Sequence, residues 1–210
     1  MKKLGVALAL LIAAAPALSA QGTSNLVFLN GGSVTDGHYY VGNYNATLDG
    51  KAITVNCVDF FHDVNNGDAW PVNVTSLTGG DLSNTRLGNT GQGQYMEAAF
   101  LTGQYAGKSD SQVGDIQHAI WRLFGGTEPS IVDANSTFRM DFASDNYLSS
   151  NFFYGDFKVL TDARINDPSY TDPDVTKQEF LTSTPEPSSL ALLGTGLFGL
   201  VPMVRRRRKR

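Results

Sequence analysis

A single cysteine, Cys57, stands in a chain that opens with the features of an export signal. No internal disulfide can form, so a domain folded outside the cytoplasm must hold by its buried core alone. The export reading rests on three adjoining parts. Met1, Lys2 and Lys3 make a short basic start, Leu4 to Ala15 an apolar run, and Pro16 to Ala20 a stretch of small residues. The run is short for a bilayer span and fits a signal peptide over residues 1–20, cut after Ala20 or Ser19. A leftover cysteine in such a chain implies pairing between molecules, a reactive thiol, or some other bond.

The 210 residues suffice for one medium domain plus targeting segments. The net charge of -4 hides an uneven distribution. Between Gln21 and Pro187 lie eight basic and all 20 acidic residues, a net of -12. Such a domain is a poor partner for nucleic acid, whose phosphates call for clustered Lys and Arg.

Residues 21–166 read as one domain rich in Gly, Asn, Thr and Asp. Strands are expected over 38–48, 53–61 and 70–77, with another inside 151–165. In the second, Ile53, Val55 and Cys57 alternate onto one face. Residues 79–94 read as a loop. Helical composition follows over Tyr95–Tyr105. A second helix should be capped by Asp110 or Ser111 and run to Phe124, with Val113, Ile116, Ile120 and Phe124 as its apolar stripe. A third, weaker helix is expected over 138–148. The expected class is α+β: a β-rich sandwich or barrel-like domain with a helical insert. Residues 167–187 are expected to be an extended acidic, Pro-rich linker. Residues 188–204 are expected to form a C-terminal transmembrane helix, with 205–210 as a basic cytoplasmic tail.

Pro185, Glu186 and Pro187, the apolar run and the basic tail adjoin in that order. This tripartite end resembles the PEP-CTERM sorting signal of Gram-negative bacteria. The resemblance implies an exosortase-type processing enzyme as partner. It also implies anchoring in the inner membrane before a cut near the motif, then transfer to the cell surface or an extracellular matrix.

Two residues of the central domain are oddly placed. Cys57 shares the core-facing side of its strand. Gln117 lies on the apolar stripe of its helix, where an unpaired amide is costly to bury. A cysteine sulfur can attack a glutamine carboxamide, expel ammonia and leave an internal thioester. Such a bond lasts only where water is excluded, for which Trp121, Phe60, Phe100 and Tyr105 are available. The motifs around these residues, VNCVDF (55–60), EAAFL (97–101) and DIQHAIW (115–121), resemble the thioester domains of bacterial surface adhesins. Cys57 and Asp59 match the family's first motif, and Gln117, Ala119, Ile120 and Trp121 its second. Ile116 stands where the family usually has threonine. The resemblance implies a β-rich domain with a helical insert and covalent capture of a surface or matrix nucleophile; Trp121 is available to support the bond, and Asp59 either hydrogen-bonds near the cysteine or simply ends the strand. His118 is turned about 100° from Gln117 on the helix, so it belongs beside the bond, as an acyl-transfer base or as a plain surface histidine.

Other chemistry is weakly represented. A cysteine hydrolase would pair Cys57 with His38, His62 or His118, but no hydrolase signature surrounds them. Asp63, Asn65, Gly67 and Asp68 faintly resemble a calcium loop and fit a plain Asn-Gly turn better. The Asn-x-Ser/Thr triplets at Asn45, Asn73 and Asn135 fit chance in an Asn- and Thr-rich chain. No cofactor or metal is expected, nor an enzyme. The expected function is an exported surface or matrix protein with a Cys57–Gln117 thioester. The alternative is a structural or carbohydrate-binding matrix module with an inert cysteine.

Overall fold

The computed structural model describes residues 23–149, 151–169 and 176–183. Its strands are β1 (Thr23–Asn30), β2 (Asn43–Leu48), β3 (Lys51–Cys57), β4 (Ala69–Ser76), β5 (Phe157–Asp162) and β6 (Phe180–Ser183). They close into one antiparallel barrel in the order β1-β2-β3-β6-β5-β4. Asp49 and Gly50, both with positive φ, join β2 to β3, and Leu48 pairs with Lys51. This is the tight Asp-Gly hairpin turn whose twist matches that of paired strands.

Alternation along each strand fills the barrel. Phe28, Tyr44, Val55, Trp70 and Leu160 point inward and are buried. Phe180 is the hub. Its ring centre lies 6.1 Å from Phe28, 6.3 Å from Tyr44 and 6.4 Å from Trp70. Beside it, Glu179 is fully buried. Its carboxylate accepts from the Tyr95 hydroxyl at 2.6 Å, the Thr161 hydroxyl at 2.5 Å and the Arg86 backbone N–H at 3.0 Å.

Between β4 and β5 run three helices: α1 (Gln92–Thr102), α2 (Asp110–Leu123) and α3 (Ala134–Asn146). Ser109 and Gln112 form a capping box that starts α2, one residue before the expected cap. Asp133 and Ser136 do the same for α3. Arg122 of α2 donates to the Ser136 and Thr137 hydroxyls, both at 2.8 Å, and so ties α2 to α3.

Two expectations are corrected. The expected α+β class, a β-rich sandwich or barrel-like domain with a helical insert, gives way to a fully closed six-stranded antiparallel barrel. Among the described residues no helix is long and apolar enough to cross a membrane, and residues 188–204 lie outside them. The expected linker over 167–187 is also revised, because its residues 180–183 are β6 and carry the hub of the core. The physical reason is tertiary. Four strand residues flanked by prolines and acids cannot signal a strand by composition, yet pairing with both β3 and β5 satisfies their backbone and buries them.

Truncating the hub should open the barrel. Phe180→Ala is expected to destabilise the fold by about 3–5 kcal/mol, measured by urea unfolding followed by tryptophan fluorescence. Burial raises the Glu179 carboxyl above its ordinary range, against the hydrogen bonds it receives. The folded state therefore keeps a proton that the unfolded chain has lost. The associated stability is complete below the ordinary glutamate pKa and disappears as pH rises through the raised value. Glu179→Gln should flatten the fall in melting temperature from about pH 4 upward; an unchanged slope would contradict this assignment.

Candidate functional site

Cys57 is the last residue of β3 and is fully buried. Its register partner is Phe180, so its side chain points into the barrel beside the aromatic hub. Where β3 ends, the Cys57 carbonyl needs a donor from elsewhere. Gln117 of α2 provides it, with Nε2 donating at 2.7 Å. Gln117 is 0% exposed. Its Oε1 accepts from the Tyr105 hydroxyl at 2.9 Å and from the Gly42 backbone N–H at 3.3 Å. The amide is thus engaged at both ends, which is how a glutamine can sit on an apolar stripe.

Gly42 is required at its position. Its φ is +85°, and a Cβ there would come within 2.7 Å of Val113 Cγ1 on α2. A side chain there would strain the backbone and force Val113 to shift beside the Gln117 contact.

The Cys57 thiol donates to the Asp59 carbonyl oxygen at 3.1 Å. Burial pushes the thiol up to about 12, and the charge of Asp59 acts in the same direction. The Trp121 side chain and the Asp59 backbone pull the other way. At neutral pH the group is a protonated thiol, which disfavours metal binding, intermolecular disulfides and hydrolase-type attack. The nearby histidines are turned toward carboxylates: His62 Nδ1 lies 2.8 Å from Asp59 Oδ2, and His118 Nε2 lies 2.6 Å from Asp36 Oδ2.

Aromatic rings cover this end of the barrel. Trp121 is 3% exposed and packs on Phe60 at 5.2 Å, Tyr39 at 5.6 Å and the His118 ring at 5.8 Å. Its indole N–H makes no hydrogen bond to the neutral thiol and has no other acceptor among the described residues, but would stabilise a thiolate. Burial alone would raise the Asp36 pKa, but backbone N–H groups of Tyr39 and His38, together with His118, hold it below the ordinary range. Asp59 also pairs with Arg86 at 2.7 Å, which fixes the turn after β3.

Cys57, Gln117 and Asp59 meet at one point, with Trp121 and His118 around it. His118 is buried rather than a surface residue. Phe100, expected among the sealing aromatics, packs instead with Phe142 and Phe152. Tyr105 was expected only as a seal, and its hydroxyl grips the amide. Gly42 and Asp36 carry no sequence signal for their roles. In the DVNNGD segment, the Asp68 carboxylate takes the Asn65 N–H at 2.9 Å and the Lys177 ammonium at 2.6 Å, so a lysine supplies its cation. No cluster of three metal-binding side chains occurs among the described residues.

Residues 183–209 match the PEP-CTERM protein-sorting motif. The chain is therefore exported, held at the membrane and processed by an exosortase. The match spans Pro185, Glu186 and Pro187 and begins at Ser183, the last residue of β6. No curated protein and no solved structure matches the chain.

In a Cys57→Ala background, Gln117→Ala should cost about 2–5 kcal/mol in denaturant unfolding, because it orphans the Cys57 carbonyl and the Tyr105 hydroxyl. Tyr105→Phe should cost about 1–2 kcal/mol in the same assay.

Proposed function

We propose that the barrel is a non-enzymatic surface or matrix module whose Cys57 and Gln117 join in an internal thioester for covalent attachment. The observation that carries this reading is the hydrogen bond from the buried Gln117 amide to the backbone carbonyl of Cys57, with two donors on the amide oxygen. Attack of the sulfur on the carboxamide carbon moves negative charge onto that oxygen. The Tyr105 hydroxyl and the Gly42 N–H lie where that charge develops. The S–C bond forms, the C–N bond breaks, and the thiol proton leaves with the nitrogen as ammonia. The ring of Trp121, Phe60 and Tyr39 shields the product from water.

A nucleophile from the surroundings then opens the bond. Its nitrogen or oxygen takes the acyl carbon, its proton goes to sulfur, and Cys57 returns as a thiol. Burial raises the thiol to about 12, so attack depends on the sulfur reaching the carboxamide carbon rather than on a preformed thiolate. The exported, tail-sorted setting favours a nucleophile on a cell surface or in an extracellular matrix.

Intact-mass measurement of the purified chain tests the reading. The expected result is a loss of one ammonia, abolished by Cys57→Ala or Gln117→Ala, and a single adduct after incubation with methylamine. Tyr105→Phe should slow formation about a hundredfold, the usual effect of removing one donor from a developing oxyanion. Full native mass together with a thiol that titrates on unfolding would exclude the thioester.

A further inference from the structure

A second site lies outside the barrel wall. On β2 and β3 the residues opposite in phase to the core point outward: Asn43 pairs with Asn56, and Asn45 with Thr54. Asn30 on β1 joins them through the Asn45 side chain, whose Nδ2 donates to Asn30 Oδ1 at 2.7 Å. These amides floor a cleft of about 920 Å³. Its walls include Tyr105 and Phe157.

We propose that this cleft binds a neutral polysaccharide chain. Three observations carry the proposal. First, among the described residues no charged side chain lines the cleft, although the surrounding domain carries a net charge of -12. An anionic polymer would meet repulsion and no counter-charge. Second, Asn56 is only 6% exposed, lines the cleft, and its side-chain oxygen has no partner among the described residues. A buried acceptor left open costs stability unless something supplies a donor, and a sugar hydroxyl is such a donor. Third, side-chain amides offer donor and acceptor together, which suits the paired hydroxyls of a sugar. The alternatives fit less well. Strand addition by a peptide needs a free sheet edge, and the closed barrel has none. An apolar ligand would leave the asparagine row unpaired.

Non-covalent binding here does not require the thioester, yet Tyr105 belongs to both sites: it lines the cleft, and its hydroxyl donates to Gln117. A chain lying in the cleft would bring hydroxyl groups to within one side chain of the proposed bond.

The test is affinity electrophoresis of the full chain carrying Cys57→Ala, in native gels containing dextran, mannan, xylan or β-glucan, with alginate as the anionic control. At least one neutral polymer should retard the protein and alginate should not. In that gel the exposed Asn45→Ala and the buried Asn56→Leu, each verified as folded by circular dichroism, should weaken the apparent affinity at least tenfold in one or both cases. Retardation by none of the neutral polymers, stronger retardation by alginate, or wild-type retardation of both variants would overturn the proposal. Because Cys57 is absent, none of these outcomes depends on whether the thioester forms.

Discussion

A fully buried carboxamide must find an acceptor for its N–H and donors for its oxygen, and Gln117 finds them on separate parts of the fold. The acceptor is the last carbonyl of β3; the donors are the Gly42 backbone just before β2 and the Tyr105 hydroxyl from the turn between α1 and α2. One side chain therefore sets how α2 sits against the barrel end. Gly42 has to remain bare so that Val113 can approach. Tyr105 has to be buried, which drives its own ionisation far out of reach and keeps its proton available for donation. The Cys57 thiol stays protonated for the same reason, since the space that excludes water also excludes charge.

Local pattern carried part of this into the sequence. The 3.6-residue stripe of α2 and the alternation of β3 place Gln117 and Cys57 on buried faces, and each is chemically out of character there. That mismatch was visible without any coordinates. The chemistry that satisfies Gln117 was not, because Gly42 and Tyr105 reach it across 75 and 12 residues of chain. Closure of the barrel was equally hidden. Strand β1 follows directly on an apolar leader, and β6 is four residues long in an acidic, proline-rich stretch. Neither reads as a strand by itself. Each is made one by partners on both sides, a tertiary effect that outweighs local propensity.

Electrostatics separates the two sites from the rest of the surface. Charged groups near the barrel end are paired: Asp36 with His118, Asp59 with Arg86, Asp68 with Lys177. What remains in the cleft, among the described residues, is neutral, whereas the exposed Asp63 stands beside the aromatic rings at the other site. On one side lie the aromatic rings over Cys57; on the other lies the asparagine floor of the cleft. A neutral, hydrogen-bonding surface on an acidic domain selects against most proteins and nucleic acids through repulsion or missing counter-charge, and tolerates uncharged polyols.

The sorting motif meets the fold at a single residue. Ser183 ends β6 and begins the matched segment, and Thr184 alone separates it from Pro185. The processing enzyme therefore works next to a strand that the core cannot lose. Phe180 lies three residues before Ser183, at the centre of the barrel, and directly opposite Cys57. A cut at the motif leaves β6 paired on both sides. A cut a few residues earlier would remove the hub, expose the edges of β3 and β5, and unseat Cys57 from its dry surroundings. Pairing of β6 into the barrel makes its backbone unavailable as an extended protease substrate.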